Sequence, residues 1–142
     1  MMLVSFLDQF DHQEMKKEQI IRLFSQVQAQ DLEFSNSGYF VLDIPNQGQI
    51  ILLFWFVDSK HLILRYDKNI PTAQQGESWL TCNEQMNSKF FDIGDDTWLP
   101  LNTIITLELA LTLNSIAMFY DEPMRLPNET KWQNVLDVMW ND

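Results

Sequence analysis

Eight consecutive apolar residues, Ile50-Ile51-Leu52-Leu53-Phe54-Trp55-Phe56-Val57, stand between two turn-forming clusters, Pro45-Asn46-Gln47-Gly48 and Asp58-Ser59-Lys60. The run is far shorter than the about 20 residues a membrane span needs, and it is rich in β-branched and aromatic side chains, so it predicts a central strand. An uninterrupted apolar strand predicts cover on both faces, with helices on at least one of them. Gly38 opens a second β segment, Tyr39-Phe40-Val41-Leu42-Asp43-Ile44, and His61-Leu62-Ile63-Leu64-Arg65-Tyr66 forms a third. Three segments at meander spacing predict antiparallel pairing.

Helical signals flank this unit. Asp11 followed by Glu14 has capping-box spacing, and Ile20, Phe24 and Val27 recur at helical intervals, predicting one amphipathic helix over residues 11–30. Asn102–Tyr120 fits two periods. Leu107, Leu109, Leu111 and Leu113 alternate with Glu108, Ala110, Thr112 and Asn114, yet Glu108, Thr112 and Ser115 line one helical face. Its length exceeds a usual strand, and Leu and Ala favour helix, so a helix is predicted, with Asn102 as N-cap and Asp121-Glu122-Pro123 as its end. Trp132, Val135, Leu136, Met139 and Trp140 also fall at helical spacing. Between Asp67 and Pro100, three Pro or Gly residues (Pro71, Gly76, Gly94) and the short runs Trp79-Leu80 and Phe90-Phe91 predict edge strands and loops. The expected architecture is α+β, a single domain over residues 1–142, with helices packed against an antiparallel sheet of about 4–6 strands.

A chain of 142 residues buries roughly 70% of its unfolded surface. With ten Phe and five Trp it has the aromatics for a core and needs no cofactor or disulfide to fold. Its lone cysteine, Cys82, has no internal partner, which suits a reducing cytoplasm. Met1–Phe10 has no positively charged start and meets Asp8 early, so it does not read as a targeting segment; Ile104–Tyr120 contains Glu108 and Asn114 and reads as core.

Charge divides unevenly. Residues 72–142 carry eleven acidic and three basic side chains, against nine and six in residues 1–71, so the net −11 splits as −8 and −3. A field of that sign repels nucleic acid and anionic membranes and accelerates encounter with a cationic protein. Catalytic signatures are weak by comparison. His12 and His61 lie at no metal-ligand spacing, and the four glycines are too scattered for a phosphate loop. Cys82 could pair with His61 in space, the minimum for a thiol nucleophile, but a lone cysteine is far more often an inert, half-buried residue. Asp92-Ile93-Gly94-Asp95-Asp96 lacks the alternating ligands and distal Glu of a calcium loop. No catalytic residue, cofactor or metal is therefore expected. The partner-binding candidates are Asp92, Asp95, Asp96, Asp121 and Glu122, with Trp98 as an anchor, since an acidic rim around an exposed aromatic suits a protein interface.

The segment from Gly38 to Trp132 resembles bacterial immunity proteins that neutralise polymorphic toxins, such as those of contact-dependent growth inhibition, and is most similar to the Imm1-type group. The resemblance rests on Leu64-Arg65-Tyr66 closing a hairpin, Trp98-Leu99-Pro100-Leu101 leading to a helix with Ala110-Leu111, then Pro123 or Pro127 and Trp132. Asp121-Glu122-Pro123-Met124-Arg125 stands where that group has a Thr-Gly-x-Arg-Pro turn. The resemblance implies a cytoplasmic, non-enzymatic inhibitor that binds one cognate toxin domain, often a basic nuclease, and covers its active site or substrate surface. A secretion chaperone or adaptor, binding an effector without inhibiting it, is the alternative, and a small enzyme using Cys82 or a carboxylate pair is the third reading.

Overall fold

The computed structural model describes residues 1–69, 77–81, 90–92, 98–100, 107–128 and 130–134, with backbone only at Glu77, 90–92 and 98–100. The strands are β1 (Met2–Phe6), β2 (Phe10–Glu14), β3 (Ser37–Ile44), β4 (Gly48–Asp58), β5 (His61–Asn69), β6 (Glu77–Thr81), β7 (Phe90–Asp92), β8 (Trp98–Pro100), β9 (Leu107–Glu108) and β10 (Trp132–Asn134). The helices are α1 (Lys17–Ser25) and α2 (Leu109–Asp121), and a 3-10 turn covers Ala29–Leu32. The main sheet runs β10-β6-β5-β4-β3-β1-β2, with β9 also paired to β5; β7 and β8 form a separate antiparallel pair. The fold is α+β, with more strands than the 4–6 expected.

The predicted meander is present, with Leu42 opposite Ile50 across β3–β4 and Leu52 opposite Tyr66 across β4–β5. Pleat then assigns alternate residues to opposite faces. Met2, Val4, Phe6, Phe40, Ile50, Leu52, Phe54, Phe56, Leu62, Leu64 and Tyr66 share one face and form a core with Ile20 and Phe24 of α1 and Ile116 and Phe119 of α2. Lys17 Nζ on Asp121 at 2.9 Å and the Tyr120 hydroxyl donating to the Met15 carbonyl at 3.2 Å tie the two helices' ends. The Lys17 ammonium is held above its usual pKa by its hydrogen bond to and the charge of Asp121.

Three sequence expectations are corrected. The helix predicted over 11–30 is shorter, and Asp11 and Glu14 belong to β2. Ser5 explains the difference: its Oγ accepts from the His12 N–H at 2.9 Å and donates to Asp11 Oδ1 at 3.2 Å, beside a register shift between β1 and β2, so Asp11 caps no helix. Helix α1 starts after Lys16, whose N–H donates to Gln19 Oε1 at 2.8 Å. Trp132–Asn134 is not helical; it supplies the ladder that the outer edge of β6 lacks, with Gln133 opposite Leu80, and the Trp132 indole N–H donates to the Pro127 carbonyl at 2.8 Å. The rest of the predicted terminal helix, and Asn102, lie outside the described residues. The helix predicted over 102–120 is present from Leu109, after two residues in strand β9. Thirdly, β4 is not covered on both faces: Ile51, Leu53 and Trp55 are only half-buried and Val57 is 40% exposed. Among the described residues no helix is long and apolar enough to cross a membrane.

Two positions report on this packing. A Cβ at Gly38 would collide with the Ser5 carbonyl oxygen and the Phe54 ring, so Gly38→Ala is expected to destabilise by about 1–3 kcal/mol through overpacking, read from urea unfolding midpoints. Thr81 Oγ1 accepts from the Leu64 N–H at 3.1 Å and donates to its carbonyl at 3.3 Å in a fully buried setting. Thr81→Val keeps the shape and orphans both groups, and the expected loss is about 1–3 kcal/mol by the same measurement.

Candidate protein-binding site

The second sheet face carries the side chains that the core leaves out. On β5 and β6 it is closed: Ile63 and Leu80 are fully buried, and Asp67 is clamped by Arg65 Nε at 3.1 Å and by the Ser78 hydroxyl at 2.5 Å. Over β1, β3 and β4 it is open. Ser5, Ser37, Tyr39, Leu53 and Trp55 form the floor of a concavity of about 410 Å³, and Leu7, Asp8 and Gln9 of the β1–β2 turn, Asp11 of β2 and Ser35 complete its lining with Phe10 and Gly38. Register places Tyr39 opposite Leu53 and Ser37 opposite Trp55, so the two aromatics are diagonal neighbours on one face.

Local sequence builds the turn. Leu7 and His12 both adopt positive φ, at 52° and 53°, unusual for residues with a Cβ. The Leu7 N–H donates to the Ser37 carbonyl at 3.0 Å and holds the turn over the floor. The His12 ring lies 6.4 Å from that of Tyr39. Phe34, next to Ser35 of the lining, is 83% exposed. The twelve lining residues include two aspartates and no lysine or arginine. Among the described residues neither Asp8 nor Asp11 has an ion-pair partner.

The residues singled out from the sequence lie elsewhere. Asp121 ends α2, on the helix side of the sheet, and is paired with Lys17; Glu122 follows and accepts from Arg125 Nη1 at 3.2 Å. Both line a second cleft of about 200 Å³ with Met118, Leu126 and Pro127. Asp92 and Trp98 are register partners across β7–β8, while Asp95 and Asp96 lie outside the described residues. The structure thus brings Asp92 to Trp98 and Asp121 to Glu122. Trp79 and Trp132 are half-buried against the core.

The weaker chemical candidates resolve simply. His61 is turn-adjacent, with Nδ1 at 2.9 Å from Asp58 Oδ1. Cys82 lies outside the described residues. Among those described, no group of three or more His, Cys, Asp or Glu side chains could hold a metal ion. Comparisons with protein-family models, with curated proteins and with solved structures found no match for the chain.

Sequence reasoning missed the concavity because its floor is made of strand residues that read as core. The available signal was partial alternation in β3, where Ser37, Tyr39 and Asp43 share with the buried Val41 the face opposite Phe40 and Leu42.

The Asp58–His61 turn gives a pH prediction. Burial alone would raise the Asp58 carboxyl, but the Lys60 N–H and the His61 ring outweigh it and hold the group below its ordinary 3.8. A depressed carboxylate stabilises the fold above the unfolded value, and that contribution is lost as pH falls through the folded one. Between about pH 5 and pH 3 the wild type is expected to lose more stability than Asp58→Asn, so their urea midpoints converge on acidification; parallel curves would dismiss the turn as a pH-sensitive contact.

Proposed function

We propose that this chain is a cytoplasmic, non-enzymatic immunity protein that binds a cognate toxin domain, a basic nuclease in the leading version, and covers its active site or substrate surface. The observation that carries the proposal is the open second sheet face, where Trp55, Tyr39 and the neighbouring exposed Phe34 stand beside two carboxylates without ion-pair partners among the described residues. Large aromatics supply most interface energy, and uncompensated charge supplies encounter rate and choice of partner. A nuclease holds phosphates on a basic surface, and the same surface is complementary to a chain of net charge −11. Nucleic acid and membrane are not partners in this reading, and no cofactor takes part. The acidic residues Asp92, Asp95, Asp96, Asp121 and Glu122, with Trp98, form the second contact region of the proposal.

Co-expression with the C-terminal domain of a large secreted protein encoded immediately upstream tests it. Survival of the host and a co-purifying complex that weakens as salt rises are the expected results. Binding without survival would favour a secretion chaperone or adaptor that holds an effector without inhibiting it. Charge reversal at Asp95 and Asp96 that changed neither affinity nor its salt dependence would take that pair out of the interface.

A further inference from the structure

We infer that the concavity on the second sheet face receives an arginine side chain of the basic partner, its guanidinium lying on the Trp55–Tyr39 floor and held by Asp8 and Asp11. This rests on the reading of the chain as a binder of a basic protein and names the chemistry it recognises there. Volume, aromatic floor and charge agree on the occupant. About 410 Å³ lies within the range of pockets that enclose a side chain or small ligand. Aromatic faces attract cations, and a planar guanidinium both stacks on them and forks to carboxylates, which a lysine ammonium does less well. Serine oxygens from Ser5, Ser35 and Ser37 add acceptors for the remaining N–H donors of such a group.

Charge makes the choice one-sided. Among the described residues no lysine or arginine pairs with Asp8 or Asp11, whereas Asp67, on the same face, already has Arg65, and Asp121 and Glu122 have Lys17 and Arg125. Asp8 and Asp11 are the two carboxylates in the lining of the concavity, and neither has a cation partner among the described residues. Asp11 is also pre-positioned, since Ser5 Oγ donates to its Oδ1 at 3.2 Å.

The test titrates the full chain with short capped peptides of alternating glycine and arginine, or glycine and lysine, labelled for fluorescence anisotropy. Asp8→Asn/Asp11→Asn keeps the acceptor for Ser5 and so is expected to fold. It should bind the arginine peptide roughly tenfold or more weakly than wild type, and Trp55→Leu should lose a similar factor. Glu18→Gln/Glu108→Gln, which removes the same charge from exposed sites outside the concavity, should change affinity by less than about twofold, and the lysine peptide should bind wild type more weakly than the arginine one. No binding by wild type, equal losses in the two charge variants, or equal affinity for both peptides would overturn the inference. Full toxin protection by Asp8→Asn/Asp11→Asn with unchanged affinity would also overturn it while leaving the immunity reading intact. Arginine-peptide binding with the expected variant losses, in a wild type that protects against no co-expressed toxin domain, would remove the immunity reading and keep the arginine site.

Discussion

Phe24 is the contact on which the rest of the structure depends. From the last turn of α1 its ring meets Phe6 at 5.1 Å, Phe54 at 4.9 Å, Phe56 at 5.4 Å and Phe40 at 6.1 Å, so a single side chain packs against strands β1, β3 and β4 together. Two of these pairs are edge-to-face, the arrangement that places the positive ring edge on a negative face and adds about 0.5–1.5 kcal/mol beyond area burial. The cluster fixes register, since a one-residue slip of any strand would send its phenylalanine to the opposite face. Gly38 is the space that cluster requires: opposite both Phe6 and Phe54, it is the position where a side chain cannot be added.

That concentration of aromatics on one face has a cost for the other. With α1 and α2 both placed on the phenylalanine side, the second face is closed over β5 and β6, where Ile63 and Leu80 are buried, and open over β1, β3 and β4. Trp55 thus occupies a strand as apolar as any core strand and yet is only half-buried. Such an aromatic is costly to leave in water and is the residue type that gains most from a partner. Backbone at Leu7 and His12 is bent into the left-handed region around the same spot, and residues held in such conformations concentrate where a binding surface is shaped.

The legible part of the fold was the meander, because β3, β4 and β5 announce themselves through continuous apolar runs bounded by Pro, Asn, Gly and Asp turns. What stayed hidden followed from residues with two competing partners. Asp11 and Glu14 have the spacing of a helix start, but the Ser5 hydroxyl captures Asp11 and the His12 N–H, and the segment becomes the edge strand β2. Trp132 has helical spacing with Val135 and Leu136, but the unpaired edge of β6 offers backbone hydrogen bonds at Leu80, and long-range pairing overrides the local period. The run Ile50–Val57 concealed the concavity for the opposite reason: with every residue apolar, periodicity carries no information about which face is covered. Of the acidic residues read from the sequence, Asp121 is paired with the distant Lys17 and Glu122 with the nearby Arg125, while Asp8 and Asp11 were invisible as a site because only the fold brings them into one lining with Trp55.

Acidic side chains stand beside the open aromatic face and work against its pairing with a second copy. Two copies approaching through Trp55 and Phe34 would also bring Asp8 and Asp11 of each against those of the other, and like charges at close range cost several kcal/mol. Edge pairing is discouraged similarly: β2 presents Asp11, His12, Gln13 and Glu14 as an exposed polar edge, bent at His12. A basic protein meets neither obstacle. In the proposed reading the carboxylates that oppose self-association attract such a partner, so affinity can reside in the aromatics while discrimination resides in the charges around them. In that reading exposed aromatic surface is tolerable because the acids beside it discriminate among approaching surfaces.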